Sequence, residues 1–173
     1  GKVERLGGGL YRLSAVEPNE FETIAMVASA VPGAIVCLLS ALRVSGIGPQ
    51  SPHEVWIALD RKARKPRRVP TRLRIVRFSG AMLTYGVIKR SMLGVPVSIT
   101  SPARTVVDCF RYRNKVGIDV AMEALRDAVI TSNDATEHRY RNAGFAALIN
   151  EYPKATQALE LNVAAEPGQL KAL

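Results

Sequence analysis

The chain has 173 residues, 47% of them hydrophobic and 23% charged, with a net charge of +9. That is enough for one well-buried core and too apolar for a disordered tail. Two cysteines and two histidines, none at ligand spacing, exclude a disulfide framework and a zinc site. Residues 25–42 carry no charge, but Pro32-Gly33 interrupts them, so two short core helices fit better than a membrane span. With no signal-peptide pattern at the start, a cytoplasmic location is expected.

In chain order, residues 2–6 and 10–13 alternate apolar and polar positions around Gly7-Gly8-Gly9, which predicts a β-hairpin. Asn19 and Glu22 form a capping-box pattern for a helix running to about residue 31. A second helix is predicted over 34–45, apolar nearly all round and stopped by Gly46. Residues 55–59 read as a buried strand containing Trp56, and 73–78 as its neighbour, Arg72 and Arg74 on one face and Leu73 and Ile75 on the other. A hairpin follows over 86–92 and 95–99, turning at Leu93-Gly94. Ser101-Pro102 is an N-cap with proline at the first helical position, opening a helix to about residue 111, on which Arg104 and Asp108 are expected to pair at the surface. A helix over 117–130 should bury Ile118, Ala121, Met122, Leu125 and Val129, and the tail from residue 135 reads as two more. The order of hairpin, helices, strands and then helices indicates an α+β fold with a small, mainly antiparallel sheet and five or six helices.

Residues 61–107 contain no Asp or Glu, yet hold half of the 24 basic residues; the other half faces all 15 carboxylates elsewhere. The charge is a localised field suited to a polyanion, and duplex nucleic acid is the commonest one. The DNA-binding set expected from it is Arg61, Lys62, Arg64, Lys65, Arg67, Arg68, Arg72, Arg74, Arg77, Lys89 and Arg90. The loop over 60–71 has no aromatic residue for stacking single strands, so backbone contact to a duplex suits it better.

Enzyme signatures are scarce. Asp60-Arg61-Lys62 is a D-x-K triplet of the kind metal-dependent nucleases use, but the acid-free stretch after it removes the natural donors of a second carboxylate; otherwise Asp60 caps a turn. No phosphate-cradling glycine loop, nucleophile elbow or HExxH is present. The reading is therefore non-enzymatic, with no cofactor, metal or small-molecule substrate. A D-x-K nuclease and an interaction module for an acidic protein are the alternatives.

Ala41-Leu-Arg-Val-Ser-Gly-Ile47, His53-Glu-Val-Trp-Ile-Ala-Leu-Asp60, Leu73-Arg-Ile-Val-Arg-Phe78 and above all Val95-Pro-Val-Ser-Ile-Thr-Ser-Pro-Ala-Arg-Thr-Val-Val-Asp-Cys109 resemble the AbiEi antitoxin family. These are transcriptional regulators of bacterial abortive-infection, type IV toxin–antitoxin systems. The resemblance covers about residues 1–130. It implies a winged-helix domain, of which residues 1–14 would be the remnant wing hairpin, followed by an antitoxin C-terminal domain over 15–173 with a helical tail. It further implies DNA as partner and a nucleotidyltransferase-like toxin opposed without a stable complex. The helices expected before the wing, the recognition helix included, do not precede it here, so weak sequence selectivity is expected.

Overall fold

A computed structural model of the chain describes residues 3–7, 9–13, 21–67, 69 and 71–131. All of them fall in the first of two units, Gly1–Thr131 and Ser132–Leu173. The predicted cap Asn19, Arg68 of the basic loop and the two tail helices lie outside the described residues.

Strands β1 (Val3–Gly7) and β2 (Leu10–Leu13) form the expected antiparallel hairpin, with Val3 opposite Leu13 and a register shift between Arg5 and Gly7. Gly9, at φ +83°, supplies the left-handed residue of the turn. Helix α1 (Glu22–Ala30) starts later than the Asn19–Glu22 capping box predicted, with Phe21 at the N-cap position and no side-chain cap, so Glu22 is its first residue and not the third; it buries Ile24, Ala25 and Val27.

The apolar run after Pro32 is not one helix. Ile35–Val36 is a two-residue strand, β3, and the helix behind it, α2, is confined to Leu38–Ser45. Ile35 and Val36 are both buried, so an alternating pattern is absent, and a short continuous apolar run does not distinguish helix from strand. The end was legible: Gly46 closes α2 in the left-handed conformation at φ 65°.

Short as it is, β3 lies at the centre of a five-stranded sheet ordered β5-β4-β3-β7-β6, formed with β4 (Val55–Asp60), β5 (Leu73–Phe78), β6 (Val87–Met92) and β7 (Val95–Thr100). The fold is α+β as predicted, but the sheet is evenly mixed and not mainly antiparallel. β3 runs antiparallel to β4 and β6 to β7, whereas β3–β7 and β4–β5 are parallel.

Alternate strand residues face opposite sides. Val55, Ile57, Leu59, Val97 and Ile99 pack with Ile24, Ala25 and Val27 of α1, while Trp56, Ala58, Val76 and Phe78 are buried on the other face. There α3 (Pro102–Arg111) packs against α2 and α5 (Ile118–Thr131), and the short α4 (Arg113–Val116) links α3 to α5. The 46–50 loop bonds α5: the Gly48 amide donates to Asp127 Oδ2 at 2.8 Å and Gln50 Nε2 to Glu123 Oε2 at 3.1 Å. Among the described side chains of α5, Ala121, Ala124 and Leu125 are buried and Met122, expected inside, is half-buried; the side chain of Val129 lies outside those described. Ile118, expected inside, is 48% exposed because the helix begins at the rim, directly after Gly117. Among the described residues no helix is long and apolar enough to cross a membrane.

Candidate nucleic-acid interface

The parallel pairing of β4 and β5 determines where the basic residues go. An antiparallel pair can be joined by a tight turn, but a parallel pair requires the chain to return along the whole strand, a connection of about a dozen residues. Val55 pairs with Leu73 and Asp60 with Phe78, so residues 61–72 start at the carboxyl end of β4 and finish at the amino end of β5. A strand of this length spans roughly 20 Å. The crossover is thus a strip that returns along the length of β4 and β5, and not the tip of a hairpin.

Ala63 and Val69 fasten the strip to the apolar cluster on the α1 face of the sheet. Between these anchors and at the ends, Arg61, Lys62, Arg64, Lys65, Arg67 and Arg72 are exposed. Asp60 begins the strip: its Oδ1 accepts from the Lys62 amide at 2.7 Å, so the carboxylate of the D-x-K triplet caps the turn. Among the described residues no three His, Cys, Asp or Glu side chains come together as a metal site.

Two arginines of β5 have structural as well as electrostatic roles. Arg77 Nη1 donates to the Asp60 carbonyl at 2.9 Å and the Ala63 carbonyl at 2.8 Å, clamping the first turn of the crossover onto the edge strand. Arg74 lies over the indole of buried Trp56, 5.6 Å from its centroid, which places Trp56 in the core, as predicted. Both are exposed, so each still contributes charge to the surface.

Lys89 and Arg90 do not belong to this surface. They lie on β6, at the other end of the strand order. Four interstrand spacings make about 19 Å, which exceeds the Debye length of about 8 Å at physiological salt. The sequence groups them with the crossover; the sheet puts them on the opposite edge.

Arg104, the last basic residue of the acid-free stretch, is not a surface charge. It is 8% exposed and Asp108 1%, which corrects the expected surface pair to a buried one. Its Nε donates to Asp108 Oδ2 at 2.9 Å, Nη1 to the Tyr85 carbonyl and Nη2 to the Met82 carbonyl at 3.4 Å, with the Phe78 ring 5.2 Å away. The reason is that α3 packs against α2 and α5, while the turn over residues 82–86 and the Phe78 ring cover the Arg104 side chain. Around it the Ser101 hydroxyl caps α3, accepting from the Arg104 amide at 3.4 Å, and Thr100 and Thr105 share a hydroxyl bond of 2.7 Å. The segment that carried the family resemblance is therefore a packing motif at the β7–α3 junction.

Burial of Asp108 changes the extent of the basic surface. Counted along the sequence, it ends the acid-free stretch; removed from the surface, it leaves residues 61–118 without an exposed carboxylate among those described. Arg111, Arg113 and Lys115 are exposed within that range. Sequence reasoning missed them because it counted Asp108 as a surface charge. The available signal was the Arg104–Asp108 spacing on a helix with apolar residues at most of its other positions.

Cys37 and Cys109 are buried free thiols, as expected. Burial, reinforced by the negative charge of Asp108, pushes the Cys109 thiol up to about 12 and the Cys37 thiol well above its ordinary value, so neither is a nucleophile near neutrality. Comparison with known proteins yields no family model that matches the chain and no curated protein that matches it.

Proposed function

We propose that this protein is a cytoplasmic, DNA-associated antitoxin or transcriptional regulator of the AbiEi type, opposing a nucleotidyltransferase-like toxin without a stable complex. Its contact with duplex DNA would run along the crossover of residues 61–72 and the β5 edge. The observation that carries this reading is the strip itself: six exposed cations over roughly 20 Å. A straight duplex passes about six phosphates of one strand in that length, and each one neutralised releases condensed counterions. A basic surface kept for solubility alone would need no such concentration, since mixed charges serve that purpose as well.

The test is titration of a mixed-sequence duplex at several salt concentrations. With about five phosphates engaged, the log–log salt slope of the affinity should be near −4 to −5. Replacing Arg64, Lys65, Arg67 and Arg68 with Glu should remove most of the affinity. Absence of binding at low salt would sink the proposal, and an unchanged isotherm in the four-residue variant would move the contact elsewhere.

A further inference from the structure

The geometry points to a second arm of the same surface: we propose that Arg113 and Lys115, at the α3–α4 corner, contact phosphates of the duplex held by the crossover. This rests on the DNA-binding reading above and extends it to the opposite face of the sheet.

The two arms meet at the carboxyl end of β5. On one side Arg77 clamps the crossover through the Asp60 and Ala63 carbonyls. On the other, the Arg77 carbonyl accepts from Tyr112 Oη at 3.1 Å, and the Tyr112 ring lies 6.4 Å from that of Phe78. One edge residue thus holds the loop by its side chain and the helix corner by its backbone. Arg113 and Lys115 follow Tyr112 by one and three residues, so their backbone lies within about 11 Å of it. At ~0.1 M salt, where the Debye length is about 10 Å, charge at this corner adds to the field at the carboxyl end of β5, where the crossover is clamped.

A cation at the end of α3 is also favoured by the helix dipole, and Arg113 Nη1 does donate to the Phe110 carbonyl at 3.2 Å. Capping accounts for that one residue. Lys115 has its ammonium 5.8 Å from the centroid of the Tyr112 ring, on the same tyrosine that bonds β5. The carboxylate that would neutralise this corner from within α3, Asp108, is buried with Arg104. The acidic groups next to the combined surface include Asp60, whose Oδ1 accepts from the Lys62 amide, Asp119 in the first turn of α5, and half-buried Glu54, beside the Val55 amide that donates to the Arg72 carbonyl at 3.0 Å. Cations on both sides of one sheet edge suit a duplex, which presents phosphate rows on either side of each groove.

The experiment compares the intact chain with three double variants on one mixed-sequence duplex: Arg113→Gln/Lys115→Gln, Arg64→Gln/Lys65→Gln and, on the far edge, Lys89→Gln/Arg90→Gln. Circular dichroism and Tm verify that each remains folded, which exposed substitutions allow. The corner variant should lower the magnitude of the log–log salt slope by about 2 and weaken binding roughly 10- to 100-fold at ~0.1 M salt, as the crossover variant does. The far-edge variant should leave both unchanged. If the corner variant keeps the slope and affinity of the intact chain while the crossover variant loses them, the second arm is overturned and the DNA-binding reading stands. If the intact chain does not bind, that reading falls, and this one with it.

Discussion

Arg104 shows how burial reverses the value of an ion pair. Exposed, an Arg–Asp pair four residues apart on a helix contributes a few tenths of a kcal/mol. Enclosed as this one is, its loss is governed by what remains behind. Asp108→Ala would leave a guanidinium beside the Phe78 ring with only the Tyr85 and Met82 carbonyls as acceptors. We expect it to cost about 3–5 kcal/mol in urea denaturation, and the double substitution Arg104→Met/Asp108→Leu to cost less, because no unpaired charge is then buried. A single-variant loss below about 1 kcal/mol would mean that water reaches the pair. Gly86 shows the same tightness: at φ +62°, a Cβ there would meet the Arg104 Cβ at 2.9 Å, so only glycine lets the turn close over the arginine.

Among the elements, most of the exposed cations between residues 61 and 118 sit on the crossover loop, on strands β5 and β6 and at the α3–α4 corner, while α2 and α5 show one exposed arginine each, Arg43 and Arg126. None of the described helices presents a basic row along its length: α1 and α2 give most of their length to the core, α3 carries its exposed arginine in the last turn, and α5 shows Asp119 in its first turn. Phosphate contacts set position without reading sequence; direct readout needs side chains on base edges in a groove. The described surface should therefore prefer its own promoter over random DNA of equal length by at most a few-fold, against roughly 10³ or more for intact specific binders. Competition between the two duplexes at physiological salt decides it. A strong preference would mean that the crossover or the corner reads bases or DNA shape.

For the whole molecule, the buried thiols set a pH limit on stability. In the unfolded chain a thiol loses its proton near the ordinary value of 9.0, whereas Cys109 in the fold holds it to about 12. Between those values the folded state binds a proton that the unfolded state has released, so stability is full below pH 9 and declines above it, by about 1.4 kcal/mol per unit and thiol. Cys37 and Tyr112, both raised first by burial, act in the same direction. The urea midpoint should thus be flat from pH 7 to 8.5 and fall from pH 9 upward, less steeply in Cys37→Ala/Cys109→Ala; a midpoint constant to pH 10.5 would show that the thiols are not shielded. The sequence by itself determined whatever depends on neighbours along the chain: the Gly9 turn, the Gly46 stop, the Ser101-Pro102 helix start, strands β4 to β7 and the basic character of residues 61–77. Tertiary structure alone decided the central strand β3, whose two buried residues have no period to read, and the parallel pairing that draws the crossover out along the length of β4 and β5. It also parted Lys89 and Arg90 from that strip and withdrew Asp108 from the surface, leaving exposed Arg113 and Lys115 in a stretch without an exposed carboxylate. The physical reason is that local propensity acts over a few residues, whereas strand order and burial depend on partners distant in sequence, and the field at a surface depends on which charges remain in water.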